Sequence, residues 1–189
     1  MVLLIPMKGF GRNLLLMTEF EIKYRGLKVE DSSTYKFNKD LAESINVLIE
    51  RAVAKAKENV KENESIDRGV LVNSIEADPH KRRLRRTFGS TAEHSKYVEF
   101  GTGTKHEFES FVEKVASPNA PHTPAIDPLM SWAKRHGMDE RAAYAIRQKI
   151  TNEGGLDPKP FIRPVVQWLE KEGDKIIVKE MQKRGWTID

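Results

Sequence analysis

The chain contains no cysteine among its 189 residues. This absence excludes disulfide bonds and sites built on thiolate ligands, whether redox-active or metal-binding. No stretch approaches the ~20 consecutive apolar residues that a transmembrane helix needs, so we expect no membrane partner. Hydrophobic residues make up 39% of the chain and charged residues 32%, which predicts a folded core beneath a strongly charged surface.

The sequence also lacks the motifs on which common catalytic and cofactor sites depend. It has no Gly-x-Ser-x-Gly segment and no glycine-rich loop ending in Lys-Ser or Lys-Thr, and its five histidines are widely separated. Only a fold that gathered distant histidines, or an unrecognised pair of carboxylates, would supply such chemistry. We therefore predict that the protein is not an enzyme and takes no cofactor, metal or small-molecule substrate.

Alternating polar and apolar residues predict the strands. Residues 18–24 alternate, residues 27–29 continue the pattern as a hairpin or bent strand, and residues 83–89 form a strand with one charged face. Between them, residues 67–75 carry a turn at Gly69 followed by apolar side chains. These short segments predict a small, mainly antiparallel sheet.

A long amphipathic helix is predicted over residues 40–62, where apolar residues recur at spacings of three and four. Asn38 or Asp40 is expected to cap it. With the strands, this helix predicts an α+β fold: a small, mainly antiparallel sheet packed by one long amphipathic helix, with a helical C-terminal third.

Three helices are predicted in that C-terminal third. Asp127-Pro128 is expected to start the first, as N-cap and first helical residue, and Gly137 to end it. Asp139 caps the second, which Gly154-Gly155 stops, and the last begins near Pro164.

The length favours a single domain over residues 1–189, since it supports one full-sized core. A strand pattern begins directly after Met17, so residues 1–17 are interpreted as an N-terminal arm or a wrongly assigned start. Residues 104–126 carry three prolines and few apolar side chains, which predicts a long mobile loop.

Two short segments combine aromatic, charged and turn residues without any catalytic pattern. Box 1, residues 97–103, reads Tyr-Val-Glu-Phe-Gly-Thr-Gly, and box 2, residues 158–164, reads Pro-Lys-Pro-Phe-Ile-Arg-Pro. Glycine permits tight backbone reversal and proline restricts it, so both boxes are expected to fix a backbone shape.

In this order, three segments resemble the tail-completion family of long-tailed phages and related proviruses, also called tail components or minor tail protein Z-like proteins. The segments are Gly69-x-Leu71-x-x-Ser74-Ile75, then residues 97–102 of box 1, then residues 160–164 of box 2 ahead of a final helix. The resemblance covers roughly residues 40–184. It departs from the family pattern at Asp67-Arg68 and Val166, and gives no support to residues 1–38 or 104–126.

This resemblance implies a virion structural protein of the tail or neck that completes the tail or joins it to the head. It implies a ring-forming homo-oligomer, most simply a hexamer, because tails are stacks of sixfold rings. The implied partners are other copies of the chain, the neighbouring head-connector and tail-tube or terminator proteins, and DNA passing through the ring. The implied location is the virion, and the host cytoplasm before assembly.

The resemblance also assigns structural roles to named positions. Tyr97 and Phe100 are expected to bury ring area beside the sheet, and Phe161 to anchor in the core. We hypothesise that Glu99 and Arg163 pair; the alternative is that both are independent surface charges. The full set of predicted structural positions is Gly69, Tyr97, Glu99, Phe100, Gly101, Pro160, Phe161, Arg163 and Pro164.

One feature favours a different function. Residues 81–86 hold five cations, Lys81, Arg82, Arg83, Arg85 and Arg86, within a net charge of +4 for the whole chain. As an alternative, the last four would contact DNA phosphates in a basic nucleic-acid-binding protein. A charged strand face meeting solvent or an acidic neighbouring subunit is the simpler interpretation.

Overall fold

The computed structural model describes residues 2–4, 16–23, 31–65, 67–77, 84–103 and 123–188. Packing divides the chain into two compact units. The first comprises Met1–Ser95 with Phe161–Asp189, and the second comprises Lys96–Pro160. The single domain expected from chain length stays a prediction.

The first unit contains an antiparallel sheet whose described strands are β1 (Val2–Leu4), β2 (Leu16–Lys23), β3 (Ile75–Ala77) and β4 (Arg85–Ser90). Their order is β1-β2-β4-β3. The strands predicted near 18–24 and 83–89 are confirmed. Residues 2–4 pair with β2, although the sequence pattern had left them outside the sheet, and the continuation predicted at 27–29 lies outside the described residues.

Helix α1 (Asp31–Glu62) packs on β3, β4 and α6 (Arg163–Lys183). At 1.5 Å per residue it is about 48 Å long. Its apolar stripe is buried along most of its length, as the 3.6-residue period requires of a helix lying on a sheet. The buried members are Leu41, Ala42, Ile45, Leu48, Ile49, Ala52, Ala56 and Val60. The α+β prediction, with one long helix against a small antiparallel sheet, is therefore confirmed.

The predicted start of α1 was wrong. The helix begins at Asp31 rather than after Asn38 or Asp40. Phe37 lies one turn before Leu41 and is only 5% exposed, because Trp186 packs edge-on against it with ring centroids 5.1 Å apart. The indole Nε1 of Trp186 also donates to Asp40 Oδ2 at 2.8 Å. These contacts come from the end of the chain and hold the first turns of α1 in place.

A glycine sets the entry to β3. Gly69 has φ +73°, a left-handed conformation that side chains rarely adopt, and caps the short helix α2 (Val70–Asn73). Helix α2 buries Leu71 and leads directly into β3. The turn predicted at Gly69 is thus a backbone requirement of the fold.

The second unit is helical in its described part. Helix α3 (Ser95–Phe100) carries the chain into it, and α4 (Ile126–Arg135) packs on α5 (Glu140–Asn152). As predicted, Asp139 caps α5 and accepts from the Ala142 amide at 3.0 Å. Box 1 begins inside α3, since Tyr97 to Phe100 belong to that helix.

The predicted N-cap of α4 was two residues too late in the chain. Ala125 rather than Asp127 is the N-cap, so Asp127 lies in the first helical turn. The predicted ending at Gly137 is confirmed: Gly137 has φ +69°, and the Met138 amide donates to the Ala133 carbonyl at 2.9 Å. That bond is the six-to-one closure of a Schellman ending.

Candidate functional site

Box 1 ends in a backbone reversal that only glycine accommodates. The Gly101 amide donates to the Tyr97 carbonyl at 3.0 Å, closing α3, and Gly101 has φ +76°. A Cβ atom there would lie 2.7 Å from the Leu156 carbonyl oxygen and 3.0 Å from the Pro158 nitrogen. Both the backbone angle and the close approach therefore require glycine.

The start of box 2 and the residues just before it are hydrogen-bonded to box 1. The Lys159 amide donates to the Val98 carbonyl at 2.7 Å, and the Thr102 amide donates to the Leu156 carbonyl at 3.0 Å. The Leu156 amide in turn donates to the Thr102 hydroxyl oxygen at 2.8 Å. We call residues 98–102 and 155–159, joined by these three bonds, the clasp.

Gly155 allows the two segments of the clasp to approach each other closely. A Cβ atom on Gly155 would lie 1.9 Å from the Thr102 carbonyl oxygen and 2.6 Å from its carbon. Its φ of +145° is also unfavourable for other residues. Sequence reasoning assigned Gly155 only to helix termination, because its contact with Thr102 joins positions far apart in the chain.

The clasp brings the two ends of the segment 103–154 together. We call this segment the excursion. Because its ends are held together, its length can vary at low entropic cost: each doubling of the length of a flexible loop raises the free energy of closing it by only about 0.6 kcal/mol. The clasp is therefore a junction at which a long insertion can be accommodated without disturbing what precedes and follows it.

Box 2 continues into the first unit. Phe161 is fully buried, and its carbonyl accepts from the side-chain amide of Asn59 on α1 at 3.0 Å. Helix α6 then starts at Arg163, with Pro164 in its first turn, where a missing amide proton has no helical partner to lose. Box 2 thus fixes the approach of α6 to α1.

One of the predicted aromatic roles differs in the structure. Tyr97 is 37% exposed, with the Lys96 ammonium 5.0 Å above its ring, so the expectation that it buries its ring beside the sheet was wrong. Phe100 is half-buried. Glu99, in contrast, is fully buried. Its proposed pairing with Arg163 stays a prediction.

Within the basic run, the structure describes the side chain of Arg86, and that side chain is buried. Arg82 and Arg83 lie outside the described residues, and Arg85 lies on β4 opposite Glu21. Arg86 shares a face of β4 with fully buried Phe88 and is itself 2% exposed; its Nε donates to the Asn46 side chain on α1 at 2.7 Å. The prediction that Arg86 contacts DNA was wrong, because a phosphate has no access to a buried guanidinium.

A charge cluster joins the end of α6 to α1, and sequence reasoning missed it. Glu180 is 6% exposed and lies 2.9 Å from Lys183, 3.1 Å from Arg51 and 3.7 Å from Arg184. The hydrogen bond from Lys183 lowers the pKa of this carboxyl, aided by the positive charges of Lys183, Arg51 and Arg184 and opposed by burial. One buried carboxylate therefore organises three cations.

A basic groove runs along the outer face of α1 beside that cluster. It has a volume of about 590 Å³ and is lined by Arg51, Ala54, Lys55, Lys57, Glu58, Lys61 and Trp168. Four of the seven lining residues are cationic and one is acidic. We call this surface the α1–α6 groove. Sequence reasoning found no signal for it, because a charged helix face usually only meets solvent.

The described part of the chain contains neither a metal-binding cluster nor a membrane-spanning helix. Among those residues, no group of three or more His, Asp or Glu side chains is placed to hold a metal ion. No helix within the same residues is long and apolar enough to cross a membrane. The arrangement is one of backbone closure, buried anchors and surface charge.

Residues 27–101 match the model of a protein family described as HK97-gp10-like, "Bacteriophage HK97-gp10, putative tail-component". The predicted resemblance to a phage tail-component family is confirmed over this segment. The match starts earlier than residue 40 and ends at Gly101, so box 2 and α6 lie beyond it.

Two other comparisons gave no result: neither the curated proteins nor the solved structures contain a match to this chain.

Proposed function

We propose that the protein is a ring-forming subunit of the viral tail or neck that completes the tail or joins it to the head. The observation that carries this proposal is the family match over residues 27–101. That segment contains α1, α2, β3, β4 and α3 and ends at the glycine that closes box 1. The matched segment therefore includes the long helix α1 and two strands of the sheet.

The nature of the site supports a structural role. The clasp, the buried Phe161 and the turn at Gly69 all constrain the backbone. A subunit that must repeat in a ring needs one defined shape, because each copy presents the same two surfaces to its neighbours. Constraints of this kind provide that shape.

The partners that follow from this proposal are other copies of the chain, most simply in a hexamer, and the adjoining head-connector and tail-tube or terminator proteins. DNA would pass through the lumen of the ring. The protein would reside in the virion after assembly and in the host cytoplasm before it.

The test is to purify particles of the virus or provirus that carries this gene and compare complete particles with isolated heads. Mass spectrometry should find the protein in complete particles at a constant ratio to the major tail protein, and it should be absent from isolated heads. Negative-stain images of the purified protein mixed with its neighbours should show sixfold rings. Complete particles without the protein would overturn the proposal.

A further inference from the structure

We propose that the α1–α6 groove is a binding site for the phosphate backbone of duplex nucleic acid, recognised without regard to base sequence. The groove lies entirely on the first unit. It differs in position and in composition from the basic run on β4, whose Arg86 is buried. The inference concerns the isolated chain and does not depend on the proposed role in the tail.

Charge is the first argument. Arg51 and Lys55 lie one turn apart on one side of the outer face of α1, and Lys57 and Lys61 lie one turn apart on the other side. Glu58, the only acidic lining residue of the groove, lies between the two pairs. From residue 51 to residue 61 the helix rises about 15 Å. Duplex DNA carries one phosphate per about 3.4 Å on each strand, so the two pairs together span several phosphates.

The positive surface extends past the end of the groove. Arg51 contacts Glu180, which also holds Lys183 and Arg184, and Arg184 lies 3.7 Å from Glu43. Groove and cluster together therefore hold six cations and three carboxylates. An extended surface with excess positive charge attracts a polyanion more strongly than it attracts a single small anion.

The cations of the groove suit contacts that do not require one fixed geometry. Arginine binds carboxylates and phosphates alike through paired hydrogen bonds from its planar group. The one arginine that lines the groove, Arg51, is already bonded to Glu180 at 3.1 Å. The other three cations are lysines, which act as compact point charges and tolerate the variable geometry of a phosphodiester backbone.

Trp168 favours a duplex over a single strand. Proteins that bind single strands stack bases on exposed aromatic rings. The Lys55 ammonium lies 5.4 Å from the centroid of the Trp168 ring, and the ring is half-buried. Lys55 therefore occupies one face of the ring, where a stacked base would otherwise lie, and the tryptophan positions a cation for a phosphate.

The test uses the full chain and a short fluorescently labelled DNA duplex of mixed sequence, with binding followed by fluorescence anisotropy over a salt series. The test variant combines Lys57→Gln with Lys61→Gln. The matched control combines Lys134→Gln with Lys149→Gln, which removes the same charge from exposed positions of the second unit. Circular dichroism establishes that both variants are folded.

We expect the wild-type chain to bind with an affinity that falls steeply with salt. The groove variant should bind about tenfold more weakly at low salt, as the removal of two cations that each pair with a phosphate predicts. The slope of log K against log salt should be shallower by about 0.9 for each phosphate that the variant no longer neutralises. The control should retain the wild-type slope.

Three results would overturn the proposal. The wild-type chain fails to bind the duplex; the control loses as much affinity as the groove variant, so that only net charge matters; or a polyglutamate peptide of matched charge binds as tightly as DNA and depends equally on Lys57 and Lys61. The last result would assign the groove to an acidic protein partner instead.

Discussion

Thr102 and Leu156 are joined by a reciprocal pair of hydrogen bonds. The Thr102 amide donates to the Leu156 carbonyl at 3.0 Å, and the Leu156 amide donates to the Thr102 hydroxyl oxygen at 2.8 Å. Thr102 is 4% exposed and Leu156 is 45% exposed, so the bonds are shielded from water on the Thr102 side. Thr102, which follows Gly101, thus pairs with Leu156 through both its backbone amide and its side-chain hydroxyl. In a β-sheet the same two bonds would come from the backbone alone.

Replacing Thr102 with valine should weaken the clasp, since valine keeps the shape of threonine but offers no acceptor to the Leu156 amide. An unsatisfied amide in a shielded position costs about 1–3 kcal/mol. Hydrogen exchange at the Leu156 and Lys159 amides should accelerate by a corresponding factor. Thr102→Ser is the control, because it retains the hydroxyl and should exchange at nearly the wild-type rate.

The glycines of the clasp should be far less replaceable than a glycine that only ends a helix. Gly137→Ala meets no atom within 4 Å, so its cost comes from the left-handed backbone alone, about 1–2 kcal/mol. Gly101→Ala adds a contact of 2.7 Å with the Leu156 carbonyl, and Gly155→Ala one of 1.9 Å with the Thr102 carbonyl. Urea denaturation should rank the loss of stability Gly155→Ala, then Gly101→Ala, then Gly137→Ala. An equal loss at all three positions would contradict the geometry of the clasp.

The sequence predicted those parts of the fold that are encoded locally. The stripe on α1, the Asp139 cap and the Gly137 ending each depend on residues within one or two turns of each other. The first turns of α1 were missed because their support comes from Trp186, at the other end of the chain. Arg86 was assigned to the surface because charge usually marks solvent, whereas Asn46 on α1 receives its Nε.

The candidate site was predicted in outline but not in mechanism. Both boxes were recognised as shape-fixing segments from their glycines, prolines and aromatics. That Thr102 bonds to Leu156 and lies close to Gly155 required knowing which distant positions meet, and no periodicity in the sequence indicates that. The α1–α6 groove was missed for the same reason, since Trp168 reaches it from another helix.

Because the clasp holds the two ends of the segment 103–154 together, we predict that most of this segment can be removed without unfolding the first unit. Replacing residues 104–153 with a short Gly-Ser linker should leave the first unit folded, because the clasp residues on both sides remain and α1, α6 and the sheet lie outside the deletion. Circular dichroism and a cooperative urea transition measure this outcome. A chain that loses its cooperative transition on this deletion would mean that the excursion is required for folding.

Removing only residues 104–122 addresses the predicted loop. We expect this variant to fold and to stay soluble but to fail in ring or particle assembly, as an arm that docks on a neighbour would. A complementation assay with the virus or provirus lacking the gene measures assembly. The control replaces the same residues with an equally long Gly-Ser sequence, which separates the effect of loop length from that of its side chains. Normal particles from the deletion would show that the loop predicted over residues 104–126 does not dock on a neighbouring subunit during assembly.

Glu180 should make the stability of the first unit depend on pH in the acid range. Its pKa lies below the ordinary value of 4.5, chiefly through the hydrogen bond from Lys183. A lowered native pKa means that the unfolded chain takes up the proton first. The stabilisation is therefore complete above the unfolded pKa and is lost as the pH falls through the native pKa.

Glu180→Gln tests this pH dependence directly. It should reduce stability at neutral pH by roughly 1–2 kcal/mol, because the three cations keep partial access to solvent. Measured by urea denaturation between neutral and acid pH, the variant should also show a flatter acid limb than the wild-type chain. Lys175 pairs with Glu172 at 3.2 Å on an exposed part of α6, so Glu172→Gln is the matched control and should leave the acid limb steep. If both variants show the same acid limb, the cluster around Glu180 is not what makes the first unit sensitive to acid.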